Sequence, residues 1–349
     1  MSLPTVQLFF ACDERYLSLF GVALASVKRH RDPARSYVAT VLHTEIPEAR
    51  QKEMSAYFDE RGFSLRFRSV RDEIEALAAR LHTRDYYSNA TYYRLLIPAL
   101  YPELTKALYL DSDIILRADV AKLYDVRMGD ALAAAIPDGF VNHVPLLRRY
   151  VENRVGVPCD TPYFNAGVLL MNLVEMRKLR FGELFASLLS SVTFRVAQDQ
   201  DYLNVICRGR VKFLSDEWNY MPLAPAKSEP RLVHFNLDNK PWQKDGVLYA
   251  DEFWAIADAT PFGDALHARF AAYSEEDVRR DALATERLIA TAIAESEDKE
   301  ENRRIASRIG TVMSAYTEKT EEEGSTFCRT SVFSPVFFGG HRAVKGTVL

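Results

Sequence analysis

Apolar and polar positions alternate along the first half of the chain in blocks that predict strands and helices in turn. "TVQLFFAC" is short, aromatic-rich and ends on Asp13, Glu14 and Arg15, the pattern of a buried first strand. Leu17, Phe20, Leu24 and Val27 then recur at helical spacing until Lys28 to His30 close the helix. "YVATVLH" predicts a second strand, "PEARQKEMSAYFDERG" a helix with proline at its start and glycine at its stop, and "FSLRFRSV" a third strand. This alternation predicts an α/β fold with a Rossmann-like, mostly parallel sheet flanked by helices.

Further on, "SNATYYRLLIPAL" predicts a helix capped by Ser88 or Asn89 and halted at Pro98. "KALYLDSDIIL", "ALAAAIPD" and "YFNAGVLLMNL" read as apolar strands, "QDQDYLNVICRG" as a helix with acids in its first turn, and "RLVHFNLDNKPW" as a late strand running into a loop. From about Ser274 the texture changes to a charge-laced helical stretch with too few apolar positions for a core helix. A Ser, Thr, Glu and Gly-rich segment and an aromatic patch, "VFSPVFFGGHR", follow. The expected division is a domain over residues 1–265 and a helical and irregular appendage over 266–349.

Composition narrows the class. The 349 residues are 48% hydrophobic and 26% charged, enough for a large core, and a net charge of −4 gives no reason to expect a nucleic-acid surface. Cys12, Cys159, Cys207 and Cys328 lack the paired spacing of a zinc site or disulfide framework, which fits a reducing compartment. No apolar run approaches the ~18 residues that span a bilayer, and "MSLPTVQLFF" lacks the features of a secretion signal. The expectation is a cytoplasmic enzyme, with the tail patch able to touch the inner face of a membrane or, more commonly for such patches, to pack back onto the domain.

The chemistry concentrates at "LYLDSDIIL". In an extended segment residues i and i+2 project to one side, so Asp111 and Asp113 can converge on one cation while Ser112 faces away. They sit at the carboxyl end of a strand, where open α/β sheets bind ligands, and a cation relieves the repulsion between them. A single Asp-x-Asp also has plainer readings, in which one acid caps a turn and the other is solvated. It also resembles the start of haloacid-dehalogenase-type phosphatases, where the first Asp is a covalent nucleophile, although those enzymes carry it on their first strand.

The order of segments resembles glycosyltransferase family 8, especially bacterial lipooligosaccharide galactosyl- and glucosyltransferases and, more distantly, glycogenin. "FFACDERY", "TYYRL", "LYLDSDIILRADVAKLYD", "YFNAGVLLMNL", "QDQDYLN" and "VHFNLDNKPW" occur in the family's order over about residues 5 to 262. The resemblance implies a GT-A fold and metal-dependent transfer of a hexose, galactose or glucose, from a UDP-sugar to a saccharide acceptor with retention of configuration.

Residue by residue, the resemblance implies that Asp111, Asp113 and His234 bind Mn²⁺ or Mg²⁺, the imidazole favouring manganese over calcium. Asp13 matches the acid that contacts uracil, Lys240 the lysine that meets the diphosphate, and Arg94 the arginine that reaches the donor sugar. Ser112, Asn165, Ala166 and Gly167 fall in the donor site, the last two as small residues that let backbone approach the ligand. Asp199 matches the acid that holds sugar hydroxyls, Gln200 a side chain near the reacting carbon, and Asp201 a carboxylate placed to trap a glycosyl intermediate. An amide is a poor nucleophile, so same-face attack by the acceptor is the favoured route. Two departures stand out, Arg15 where the family often has asparagine and Leu237 where it has glycine. The second keeps open a catalytically silent nucleotide-sugar binding protein on the same fold.

Overall fold

The computed structural model describes residues 4–77, 81, 89–237 and 239–322. The strands are β1 (Thr5–Ala11), β2 (Ser36–His43), β3 (Phe63–Ser69), β4 (Lys106–Leu110), β5 (Ile114–Leu116), β6 (Ala133–Pro137), β7 (Phe164–Asn172), β8 (Val211–Phe213) and β9 (Leu232–His234). Seven of them form one sheet in the order β3-β2-β1-β4-β7-β6-β8, while β5 and β9 pair separately. Only β7 runs against its neighbours in the large sheet, as the antiparallel β4–β7 and β6–β7 ladders show. The mixed, mostly parallel sheet expected from the alternation of elements is therefore present.

Alternation along β1 explains the layers. Val6, Leu8 and Phe10 point to the face covered by the helix Leu17–His30, and Phe9 and Ala11 enter the opposite core with Tyr109, Leu169 and Met171. Gly21 lets Phe262 approach that helix, since a Cβ there would lie 2.4 Å from the Phe262 ring.

The reversed strand positions the site. Because β7 is antiparallel, its first residues lie beside the last residues of β4 and β6, with Leu110 opposite Val168 and Ile136 opposite Asn165. The Asp111 N–H donates to the Gly167 carbonyl at 2.8 Å, continuing that ladder into the Asp-x-Asp segment. On the other side, β5 pairs Ile114 with His234, and the Phe235 N–H donates to the Asp113 carbonyl at 2.9 Å.

Two expectations need correction. Asn89–Leu96 is a 3₁₀ helix, and Pro98 lies in the first turn of a short α-helix, Ile97–Leu100. A proline has no N–H to give, and a first-turn N–H has no intrahelical acceptor, so Pro98 opens that helix instead of halting one. Ser88, the alternative cap, lies outside the described residues.

The charge-laced stretch forms two long helices, Glu275–Glu297 and Lys299–Glu322, the first opened by a reciprocal Ser274–Asp277 cap. Contrary to the sequence expectation, they reach the core: Leu288, Ala292, Ile305, Ile309 and Met313 are buried in the cluster that contains Leu147, Tyr150 and Val151. Arg154 is buried between them, 3.3 Å from Glu295 and donating to Asn302 at 3.0 Å. The Ser, Thr, Glu and Gly-rich segment and the aromatic patch, on which the expected membrane contact depends, lie outside the described residues. Among the described residues no helix is long and apolar enough to cross a membrane.

Candidate active site

At the ligand edge of the sheet a single cleft takes in Asp13, Arg94, Asp111 to Asp113, Asn165 to Gly167, Asp199, Gln200, His234 and Lys240. The structure thus brings together every residue expected in the donor and metal sites. Asp201 stands behind the cleft wall with no exposed surface.

One ligand atom from each of Asp111, Asp113 and His234 lies within 4.8 Å of the others. His234 Nε2 is 3.1 Å from Asp113 Oδ1 and 3.8 Å from Asp111 Oδ2. Its other nitrogen, Nδ1, is 2.9 Å from Asn219 Oδ1, and the Asn219 amide donates to Asn165 Oδ1 at 2.9 Å. That pairing puts the ring hydrogen on Nδ1 and turns the Nε2 lone pair toward the two carboxylates, an arrangement of acceptors that a cation completes. Gly167 makes the convergence possible, because a Cβ there would lie 2.5 Å from both Asp111 Oδ2 and His234 Cε1.

The cationic side chains are equally fixed. Lys240 is buried and donates to Asp113 Oδ2 at 2.6 Å and to the Phe235 carbonyl at 2.8 Å. Burial alone would raise the Asp113 carboxyl, but the Lys240 ammonium outweighs it and holds Asp113 well below the usual carboxylate range. Arg94 is buried over the Tyr109 ring, 3.2 Å from Asp111 Oδ1 and 3.1 Å from Asp199 Oδ2, and its guanidinium also donates to the Ala166 carbonyl. Burial pushes Asp199 up to about 7, the nearby Asp111 and Asp201 adding to it against the pull of Arg94.

Gln200 and Asp201 are both engaged. Gln200 Oε1 accepts the Ala166 N–H at 2.8 Å and its amide donates to Asp138 Oδ2 at 3.1 Å. Asp201 Oδ1 accepts the Tyr163 hydroxyl at 2.7 Å, and Oδ2 accepts the Tyr150 hydroxyl at 2.8 Å and the Ala197 N–H at 3.1 Å. Asp13 caps the turn after β1 through the Tyr16 N–H at 3.1 Å and pairs with Arg15 at 2.8 Å, so the Arg15 departure bears directly on the acid matched to uracil. Ser112 Oγ donates to the Ala11 carbonyl at 3.3 Å. Leu237 adopts the left-handed conformation with φ 54°, the geometry a glycine would take there, so the loop keeps its turn at the cost of strain on a branched side chain.

Sequence reasoning passed over Asp138, Tyr150, Tyr163 and Asn219. Asp138 directly follows β6 as Asp111 follows β4, and Asp13 lies two residues beyond β1; that recurrence of an acid just after a strand's carboxyl end is the available signal. Asp138 is buried and joins Asn165 at 3.0 Å to Gln200.

The mixed sheet of this order, with aspartates after its strands facing a histidine, is the GT-A fold. The model of glycosyl transferase family 8 matches residues 7–246, and the chain belongs to that family. It is 23% identical to a lipopolysaccharide 1,2-glucosyltransferase of Escherichia coli K12, over 71% of this chain and 76% of that one. A solved galactosyltransferase, LgtC, in complex with donor and acceptor sugar analogues superposes with a TM-score of 0.64 at 27% identity, covering 73% of this chain and 96% of that one. The chain spans about half of two further relatives, 51% of a Haemophilus influenzae glycosyltransferase at 29% identity over 46% of this chain, and 52% of the bifunctional glycosyltransferase WbbM. In the second, the superposition covers 76% of this chain at 26% identity with a TM-score of 0.63.

Proposed function

We propose that the chain is a retaining hexosyltransferase that moves glucose or galactose from a UDP-sugar to a hydroxyl of a saccharide acceptor, using Mn²⁺ or Mg²⁺. The observation that carries this reading is the convergence of Asp111, Asp113 and the tautomer-locked His234 at the ligand edge of a family 8 sheet. Two carboxylate oxygens suit a hard divalent cation, and the imidazole nitrogen favours one that also accepts nitrogen, as Mn²⁺ does. Such an ion, held by these three side chains, would act as a Lewis acid toward a departing diphosphate.

The chain's own residues supply the rest. Lys240 shares Asp113 with the cation site and lines the same cleft, where its ammonium would offset negative charge on a phosphate as the sugar leaves. Asp199 and Arg94, paired at 3.1 Å, present an acceptor and a donor for sugar hydroxyls. Gln200 has its amide held at both ends, and Asp201 has both oxygens occupied by buried hydrogen bonds, so neither is free for in-line attack on the anomeric carbon. This favours attack by the acceptor hydroxyl on the face from which the nucleotide leaves, a donor phosphate oxygen taking the hydroxyl proton.

Membership of the glycosyltransferase family weighs against the phosphatase alternative. The silent-binder alternative loses its motive, because Leu237 does not prevent the turn. The test is a panel of UDP-, GDP- and ADP-hexoses with and without Mn²⁺, reading nucleotide release. UDP-glucose or UDP-galactose should release UDP only with the metal, and binding of UDP with no release from any sugar would establish the silent binder.

A further inference from the structure

Gln198, one residue before Asp199, carries two unexplained costs. Its side chain is 2% exposed, yet neither Nε2 nor Oε1 has a hydrogen-bonding partner among the described residues. Its backbone sits at φ 49°, ψ −118°, outside the regions that side-chain-bearing residues ordinarily occupy. A buried amide left unpaired and a strained backbone each destabilise a fold, and strain of this kind persists only where the surroundings impose it.

Here the surroundings do impose it. The Asp201 N–H donates to the Gln198 carbonyl at 3.1 Å, the Gln200 N–H to the Ala197 carbonyl at 3.0 Å, and the Ala197 N–H to the Asp201 carboxylate at 3.1 Å. That carboxylate is anchored by Tyr150 and Tyr163. The turn is therefore fixed on both sides of Gln198, and the residue it fixes lines the same cleft as Asp199 and Arg94.

We infer that the Gln198 amide is a subsite for hydroxyls of the donor hexose and a determinant of which hexose is accepted. This rests on the donor reading proposed above. A hydroxyl both donates and accepts, so it satisfies an amide's carbonyl and NH₂ together, whereas a phosphate offers only acceptors and would leave Oε1 unpaired. The neighbours favour the sugar over the base, since Gln198 adjoins Asp199, while Asp13, the residue matched to uracil, lies at the end of β1. A site built to bond a hydroxyl discriminates strongly against a ligand that lacks it, which is the property a hexose-selective enzyme needs.

The experiment titrates UDP, UDP-glucose and UDP-galactose, each with Mn²⁺, into the wild-type chain, Gln198→Met and Gln198→Gly. Both variants remove the unpaired amide and the glycine also relieves the backbone, so both should melt at or above the wild-type temperature. UDP affinity should stay within about twofold while the preferred UDP-hexose weakens about tenfold, a loss in the range of one such hydrogen-bonding group. Variants that gain stability while binding the UDP-hexoses as tightly as wild type would overturn the inference and leave Gln198 a structural orphan. An equal loss for UDP and UDP-hexose would overturn it by placing the amide on the nucleotide. A wild-type chain that binds no UDP compound would instead refute the donor reading itself, and the subsite with it.

Discussion

Tyr150 donates its hydroxyl hydrogen to Asp201 Oδ2 at 2.8 Å, tying a side chain on the helix Pro145–Tyr150 to the helix that presents Asp199 and Gln200. With Tyr163 and the Ala197 N–H it accounts for both oxygens of a carboxylate that no solvent reaches. Asp201 is thereby a brace for the start of that helix. Tyr150→Phe should destabilise the fold by about 1–3 kcal/mol, the worth of one buried hydrogen bond to a carboxyl group, and lower kcat as Asp199 and Gln200 lose their register. Thermal unfolding and steady-state kinetics check this. Mass spectrometry after incubation with donor alone should find no sugar on Asp201.

The same carboxylate gives a pH signature. Burial pushes Asp201 up to about 6, against the lowering effect of the Tyr163 and Tyr150 hydroxyls. A carboxyl raised above its unfolded value of about 3.9 favours the fold when protonated; that contribution is complete below about pH 4 and lost as the pH climbs through about 6. Asp201→Asn lacks it. The melting-temperature advantage of wild type over Asp201→Asn should therefore shrink between about pH 4.5 and about pH 7.5, and an advantage that grows over that range contradicts the assignment.

Gly167→Ala tests the packing of the metal site. The new Cβ has no room beside Asp111 Oδ2 and His234 Cε1, so Mn²⁺ affinity should fall at least tenfold while circular dichroism stays that of the wild type. Calorimetric titration of Mn²⁺ in the presence of UDP reads the first and the spectrum reads the second.

Leu237→Gly should relieve the left-handed backbone and stabilise the chain by up to about 1 kcal/mol, seen as a higher melting temperature. The freed loop also carries Lys240 three residues on, so the donor KM should rise even as stability improves.

What the sequence made legible follows the range of the interactions. β1, β2, β6 and β7 could be read because each is a short apolar run bounded by polar residues, and β3 because apolar and polar residues alternate along it. The Asp-x-Asp pair was legible as a motif after an apolar strand, although the structure sets Asp111 to Asp113 in the bend between β4 and β5 and not in an extended strand. Family order then placed His234, Lys240, Arg94 and Asp199. Asn219 and Tyr150 stayed hidden, since the partners that give them meaning, His234 and Asp201, are 15 and 51 residues away. The helices from 275 onward were misjudged because their buried stripe mixes small residues such as Ala284 and Ala292 with paired polar ones, Glu295 and Asn302, which read as surface in isolation.

The central claim is that Asp111, Asp113 and His234 together grip a divalent cation against the donor diphosphate. A crystal grown with MnCl₂ and UDP, measured for manganese anomalous scattering, tests it most directly. The account predicts one strong peak bonded to an oxygen of each aspartate, to His234 Nε2 and to phosphate oxygens, with Nδ1 still on Asn219. A UDP-occupied cleft with no peak at that position, or a peak that His234 does not touch, would contradict it.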